Sequence, residues 1–151
     1  MKLSFFSKKK TNSSASNGDS AVLEQERKKV KVLLVDDEAS FARLTKMNLE
    51  KQGGFEVRTE TKASQALQAA VQFKPDIALL DVMLPDGDGG QIAATLQDHP
   101  ELEGLPIIFL TAAIKRDPSG GLTRQIGGRT YIPKPVKVED LIGCIMDAVC
   151  V

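Results

Sequence analysis

The stretch IALLDVMLPDGDGG, residues 77–90, decides the fold. Its first four residues form a short, continuous apolar run that halts at a carboxylate, Asp81. A run this short and uniform suits a strand buried on both faces, as in a parallel sheet covered by helices. The stretch also holds three aspartates, Asp81, Asp86 and Asp88. They form either a metal-binding loop or one reactive carboxylate beside a polar turn.

Outward from this stretch the same pattern returns. VKVLLV (30–35) is nearly continuous and stops at Asp36, PIIFL (106–110) stops at Thr111, and the weaker RTYI (129–132) ends at Pro133. FEVRTE (55–60) alternates instead, so it reads as an edge strand with one wet face. Helical spacing fills the intervals. Residues 39–52 carry Phe41, Leu44 and Met47 as their apolar positions, with Gly53-Gly54 as a stop. Residues 62–73 carry Ala63, Ala66, Leu67, Ala70 and Val71, residues 91–98 carry Ile92 and Leu96, and residues 138–149 carry Leu141, Ile142, Ile145 and Val149. AIKRDPSGGLTRQIGG (113–128) breaks the rhythm, because Pro118, Gly120, Gly121, Gly127 and Gly128 leave room only for a short or irregular helix. Five strands alternating with helices predict an open, five-stranded parallel α/β sheet with helices on both faces. Right-handed crossovers then bring every strand's C-terminal end to one edge, where such folds bind their ligands.

Size and charge narrow the function. At 151 residues the chain holds one domain. The formal net charge is zero, yet residues 1–29 hold seven Lys/Arg against three acids, and residues 30–151 hold 13 against 17. A mildly acidic body argues against nucleic-acid binding by the folded part. Residues 1–29, rich in Ser, Asn and Lys, read as a disordered or weakly structured tail. The alternative for that tail is contact with a partner or membrane surface through Leu3, Phe5, Phe6 and its lysines. The apolar run at Leu3–Phe6 is too short for an export signal, and no run is long enough to span a bilayer. Cys144 and Cys150 lack CxxC spacing and read as reduced thiols, which fits a cytoplasmic protein.

The residues after each strand carry the chemistry. Asp36, Asp37 and Glu38 follow the first, Asp81 the third, Thr111 the fourth, and Lys134 lies two residues past Ile132. Crowded carboxylates raise one another's pKa values unless a cation sits among them. Hard oxygen ligands suit Mg²⁺, with Mn²⁺ as an alternative. Beside such a cation a carboxylate can attack phosphorus, while a hydroxyl and an ammonium hold the phosphoryl oxygens. Other readings fail on the residues. A calcium loop begun at Asp86 would place Gln91 where Gly is needed and Gln97 where Glu is needed. A DxD phosphatase motif would need an aspartate where Met83 stands, and no Gly-rich phosphate loop follows the first strand. His99, before Pro100 in a polar loop, reads as a surface residue.

LLVDDE, LLDVMLPDGDG, IIFLTA and YIPKP, in this order and spacing, resemble the receiver domain of two-component response regulators over residues 30–151. The likeness is to the stand-alone, chemotaxis type. It implies a flavodoxin-like sheet of strand order 2-1-3-4-5. It also implies a switch that accepts a phosphoryl group on Asp81 from a histidine kinase or histidine phosphotransfer protein and then signals by binding a downstream protein. Asp36, Asp37 and Asp81 match the family's Mg²⁺ site, with the Met83 backbone carbonyl completing the shell. Thr111 and Lys134 match the phosphoryl-sensing hydroxyl and the phosphate-pairing lysine. Tyr131 matches the switching aromatic, although a partly buried strand aromatic is its plainer reading. The Lys134–Pro135 bond is expected to be cis, and Asp86 and Asp88 to be solvated. Met83 and Ala113 offer no group to orient an attacking water, which implies slow self-dephosphorylation rather than turnover enzymology. The family's output surface of fourth helix, fifth strand and fifth helix is expected; the irregular segment 114–128 supports an alternative, a phosphorylation-independent interaction module, but the intact set of Asp36, Asp37, Asp81, Thr111 and Lys134 favours the switch.

Overall fold

The computed structural model describes residues 28–150. The expected tail, apart from Lys28 and Lys29, lies outside the described residues. Strand β1 spans Val30–Val35, helix α1 Ala39–Lys51, β2 Phe55–Glu60, α2 Ala66–Phe73 and β3 Ile77–Leu80. A small hairpin of β4 (Met83–Leu84) and β5 (Gly87–Asp88) leads into α3 (Gly89–Asp98). Then come β6 (Ile107–Thr111), β7 (Arg124–Ile126), β8 (Arg129–Pro133) and α4 (Val138–Val149).

Six strands form one sheet in the order β2-β1-β3-β6-β8-β7. The first five are parallel, so the expected order 2-1-3-4-5 holds for them. The sixth corrects the expected count. Strand β7 pairs antiparallel with β8, with Ile126 opposite Arg129 across a two-residue turn. Gly127 and Gly128 both have positive φ, 57° and 78°, as the hairpin turn that matches strand twist requires. Residues 112–123 contain no helix, so the fourth helix of the expected output surface is absent and a hairpin stands at that edge.

All four residues of β3 are fully buried, as are Val32 to Val35 of β1. Each leucine there contributes about 1.5–3 kcal/mol by leaving water. One face of the sheet packs Leu33, Val35, Ala78, Leu80 and Phe109 against α2 and α3. The other packs Val32, Leu34, Ile77, Leu79, Ile108, Leu110 and Ile132 against α1 and α4. The apolar face expected of α1 is corrected: Leu44 and Met47 are 57% and 59% exposed, and Ala42, Thr45 and Leu49 are buried. Steps of three residues drift by roughly 60° each on a helix of 3.6 residues per turn. The alternating steps from 42 to 45 to 49 stay on one face.

Candidate functional site

The C-terminal ends of β1, β3, β6 and β8 converge, as the parallel order requires. The main chain fixes the positions: the Asp36 N–H donates to the Glu60 carbonyl, the Asp81 N–H to Val35, and the Lys134 N–H to Thr111. Asp36 and Thr111 are buried and Asp81 is 8% exposed, while Asp37 stands exposed at the rim. The Lys134–Pro135 bond is cis, as expected.

Lys134 is the hub. Its Nζ lies 2.6 Å from Asp36 Oδ2, 3.4 Å from Asp81 Oδ2 and 4.0 Å from Glu38 Oε1. It also sits 4.1 Å from the centre of the Phe41 ring, whose face attracts a cation. Sequence reasoning assigned Phe41 to the core and missed this contact. The other oxygens are held by main-chain N–H groups: Met83 donates to Asp81 Oδ1 at 3.2 Å, and Glu38 donates to Asp36 Oδ1 at 3.0 Å. The Thr111 hydroxyl accepts from the Ala113 N–H at 3.1 Å.

Burial drives the Asp36 carboxyl above its ordinary pKa, against the pull of Lys134 and the Glu38 N–H, and Asp81 adds to the rise. For Lys134 burial opposes the charge most, yet its hydrogen bonds to Asp36 and Asp81 and their fields together hold its pKa above the ordinary lysine value. Carboxylate oxygens of Asp36, Asp37 and Asp81 lie within 4.8 Å of one another. Such a set of hard oxygen donors, with one member exposed to water, can hold a divalent cation.

Tyr131 lies outside this cluster. Its ring stacks on Phe109 with centroids 4.9 Å apart, so it is a partly buried strand aromatic in this state. Asp86 and Asp88 are exposed, as expected, but both are engaged. Asp86 accepts from the N–H groups of Ala63 and Ser64 at 2.8 and 3.1 Å, and Asp88 caps α3 through the Gly90 N–H at 2.9 Å. Gly89 was also missed. A Cβ there would strike the Asp81 carbonyl oxygen and come 2.8 Å from Val82 Cα. The dense run of glycines after Asp81 was the available signal. His99 is partly exposed, and its Nδ1 accepts from the Glu101 N–H in a helical turn at Pro100–Leu102.

The family model of the response regulator receiver domain matches residues 32–146. The alkaline phosphatase synthesis transcriptional regulatory protein PhoP of Bacillus subtilis is 39% identical over 112 residues, which is 74% of this chain and 45% of that protein. The transcriptional regulatory protein GltR of Pseudomonas aeruginosa is 35% identical over 115 residues, 76% of this chain and 46% of that protein. The chain spans about half the length of the curated relatives it matches. Among solved structures, the BeF3-activated N-terminal receiver domain of Klebsiella pneumoniae RstA superposes with a TM-score of 0.63 at 25% identity, covering 79% of this chain and 97% of that one. No helix among the described residues is long and apolar enough to cross a membrane.

Proposed function

The chain belongs to the response regulator receiver family, and we propose that it is a phosphorylation-activated switch of a two-component pathway with Asp81 as phosphoacceptor. The observation that carries this reading is the junction of Lys134 with both Asp36 and Asp81 at the strand ends. We assign the metal ligands to Asp36, Asp37, Asp81 and the Met83 backbone carbonyl, and the ion to Mg²⁺, with Mn²⁺ as a substitute. Bound there, the ion would offset charge on the phosphoryl oxygens.

The chain's own groups have these roles. The Asp81 oxygen facing Lys134 bonds to phosphorus while the phosphorus–nitrogen bond of a donor phosphohistidine breaks, and the electron pair returns to the imidazole. The Met83 N–H holds the other Asp81 oxygen, so the attacking one points into the pocket. Lys134 neutralises one phosphoryl oxygen, and the Thr111 hydroxyl donates to another after leaving the Ala113 N–H. Tyr131 follows Thr111, and the change at the β6–β8 edge alters what a downstream protein meets. The donor is a histidine kinase or histidine phosphotransfer protein, in the cytoplasm. We assign the receiver domain to residues 30–151 and a separate tail to residues 1–29. The complete pocket speaks against the phosphorylation-independent alternative.

Incubation with a small-molecule phosphodonor, with and without Mg²⁺, tests this. Acid-stable, hydroxylamine-labile phosphate is expected only with Mg²⁺ and only when Asp81 is present. Labelling that survives Asp81→Asn would misplace the site, and none on wild type would sink the switch. Met83 is exposed and Ala113 carries only a methyl group. The acyl phosphate should therefore decay slowly, and rapid loss without a phosphatase would contradict that.

A further inference from the structure

The edge strand and the segment leading to it differ in charge from the rest of the domain. Residues 114–137 hold six Lys/Arg and one acid, Asp117, whereas the other described residues hold nine Lys/Arg and 16 acids. Among the described residues, no carboxylate lies within ion-pair distance of Lys115, Arg116, Arg124, Arg129 or Lys137. Three of these cations are nevertheless held in place by uncharged groups. Arg116 donates to the Pro135 carbonyl at 2.9 Å, Arg124 to the Lys115 carbonyl at 3.3 Å, and the Arg129 guanidinium lies 5.5 Å from the Phe109 ring centre. Asp117 accepts both the N–H and the hydroxyl of Ser119. The charges are positioned, and within residues 114–137 only Asp117, which feels the field of Arg124 without reaching ion-pair distance, stands against them, so a partner would pay little ordering entropy to meet them.

The pairing of β7 with β8 groups the side chains. Arg124 lies opposite Tyr131 and Ile126 opposite Arg129, so these four share one face of the hairpin. Gln125 and Thr130 bond each other on the opposite face. Ile126 is 43% exposed and Tyr131 partly so. Arginine, tyrosine and a branched apolar group together form a composition common at protein interfaces.

We propose that this hairpin face docks an acidic segment of a partner protein, its carboxylates meeting Arg124, Arg129 and Lys115 and an apolar side chain resting on Ile126 and Tyr131. A second copy of the chain fits poorly, because symmetric pairing of this face would set arginine against arginine. A nucleic-acid strand fits less well than a short acidic segment, because the patch is small and the rest of the described domain, with nine Lys/Arg against 16 acids, would repel a phosphate chain that ran past it. The face is formed in the unphosphorylated structure; it shares Tyr131 with the switch reading, whereas Lys115, Arg124, Ile126 and Arg129 have no role in the pocket.

The test is fluorescence anisotropy on the full chain with a labelled peptide of alternating Glu and Phe, a Gln-for-Glu version, and a labelled oligothymidylate. The Glu peptide is expected to bind the wild type, and Arg124→Glu/Arg129→Glu should weaken it by roughly tenfold or more. Lys115→Glu, on an exposed loop side chain, should weaken it about threefold and decides the matter if the double variant does not fold. Equal affinity of either charge-reversed chain, equal binding of the Gln peptide, or oligothymidylate binding tighter than the Glu peptide and lost in the same variants would overturn the proposal. The titration needs no phosphodonor, so its failure leaves the acyl phosphate assay untouched. A chain that is never phosphorylated leaves the titration untouched.

Discussion

The acidic pocket lies at the C-terminal ends of the parallel strands, the β7–β8 hairpin flanks the sheet and turns at the N-terminal end of β8, and different physics holds them. The pocket is assembled from residues far apart in sequence: Lys134 meets Asp36 across 98 positions and Asp81 across 53. Its geometry comes from buried parallel strands whose ends must align. The hairpin is local. It is fixed by two glycines of positive φ and a three-residue pairing, with its arginines laid over neutral groups. Breaking the pocket should therefore cost both chemistry and global stability, whereas breaking the hairpin should cost little of either.

The largest effect is expected from Lys134→Met. It leaves Asp36 buried beside Asp81 without a counter-charge, so stability should fall by about 3 kcal/mol in urea denaturation. Acyl phosphate formation should fall by on the order of a hundredfold. Adding Asp36→Asn should recover most of the stability and none of the phosphorylation. If the single variant matched wild type in urea, Lys134 would not be the hub of a coupled cluster.

Gly89→Ala comes next, because the new methyl would push on the Asp81 carbonyl where β3 hands over to the β4–β5 hairpin. Overpacking of this kind costs roughly 1–3 kcal/mol, and here it should also slow phosphorylation. Stability lost with an unchanged phosphorylation rate would mean that the strand end tolerates the shift.

The same contrast explains what could be read from the chain. The pocket was legible because each apolar run is followed at once by its polar residue: Asp36 after VKVLLV, Asp81 after IALL, Thr111 after PIIFL. Strand period and crossover handedness leave those residues only one edge to occupy. The hairpin is harder to read, because Gly127-Gly128 in a Gly/Pro-rich segment also reads as a helix breaker. RQIGGRTY places a two-residue Gly-Gly between alternating segments, which is a hairpin signal in its own right. The α1 face was misread for a related reason. Hydrophobicity at Leu44 and Met47 outranks the helical period, while the structure buries Ala42, Thr45 and Leu49; Phe41 does pack against the core, and its ring also lies beneath Lys134.

Gly128→Ala should be milder than either pocket variant. Nothing lies within 4 Å of an added Cβ, so the penalty is backbone strain alone at φ 78°, about 1–2 kcal/mol. Acyl phosphate formation on Asp81 should stay at the wild-type rate. A marked fall would show that the hairpin and the pocket share one energetic unit, which would break the contrast.

The smallest effect is expected where the two kinds of construction meet, at the rim between Asp81 and α3. The Asp86 carboxylate accepts from the Ala63 and Ser64 N–H groups, and these bonds hold its pKa below the ordinary value. A carboxyl depressed in the folded state adds stability above its unfolded pKa of about 3.9 and loses it as pH falls through the folded value. Asp86→Asn removes the charge, so its Tm should lie below that of the wild type near neutrality. The two melting curves should converge as pH drops from about 5 to about 3. Glu50, also held low by the Val57 N–H, titrates equally in both proteins and cancels in the difference. Parallel melting curves across that window would show that the rim draws its order from the β4–β5 pairing alone, and that the Asp86 bonds to Ala63 and Ser64 are a consequence of the pocket's geometry rather than a support for it.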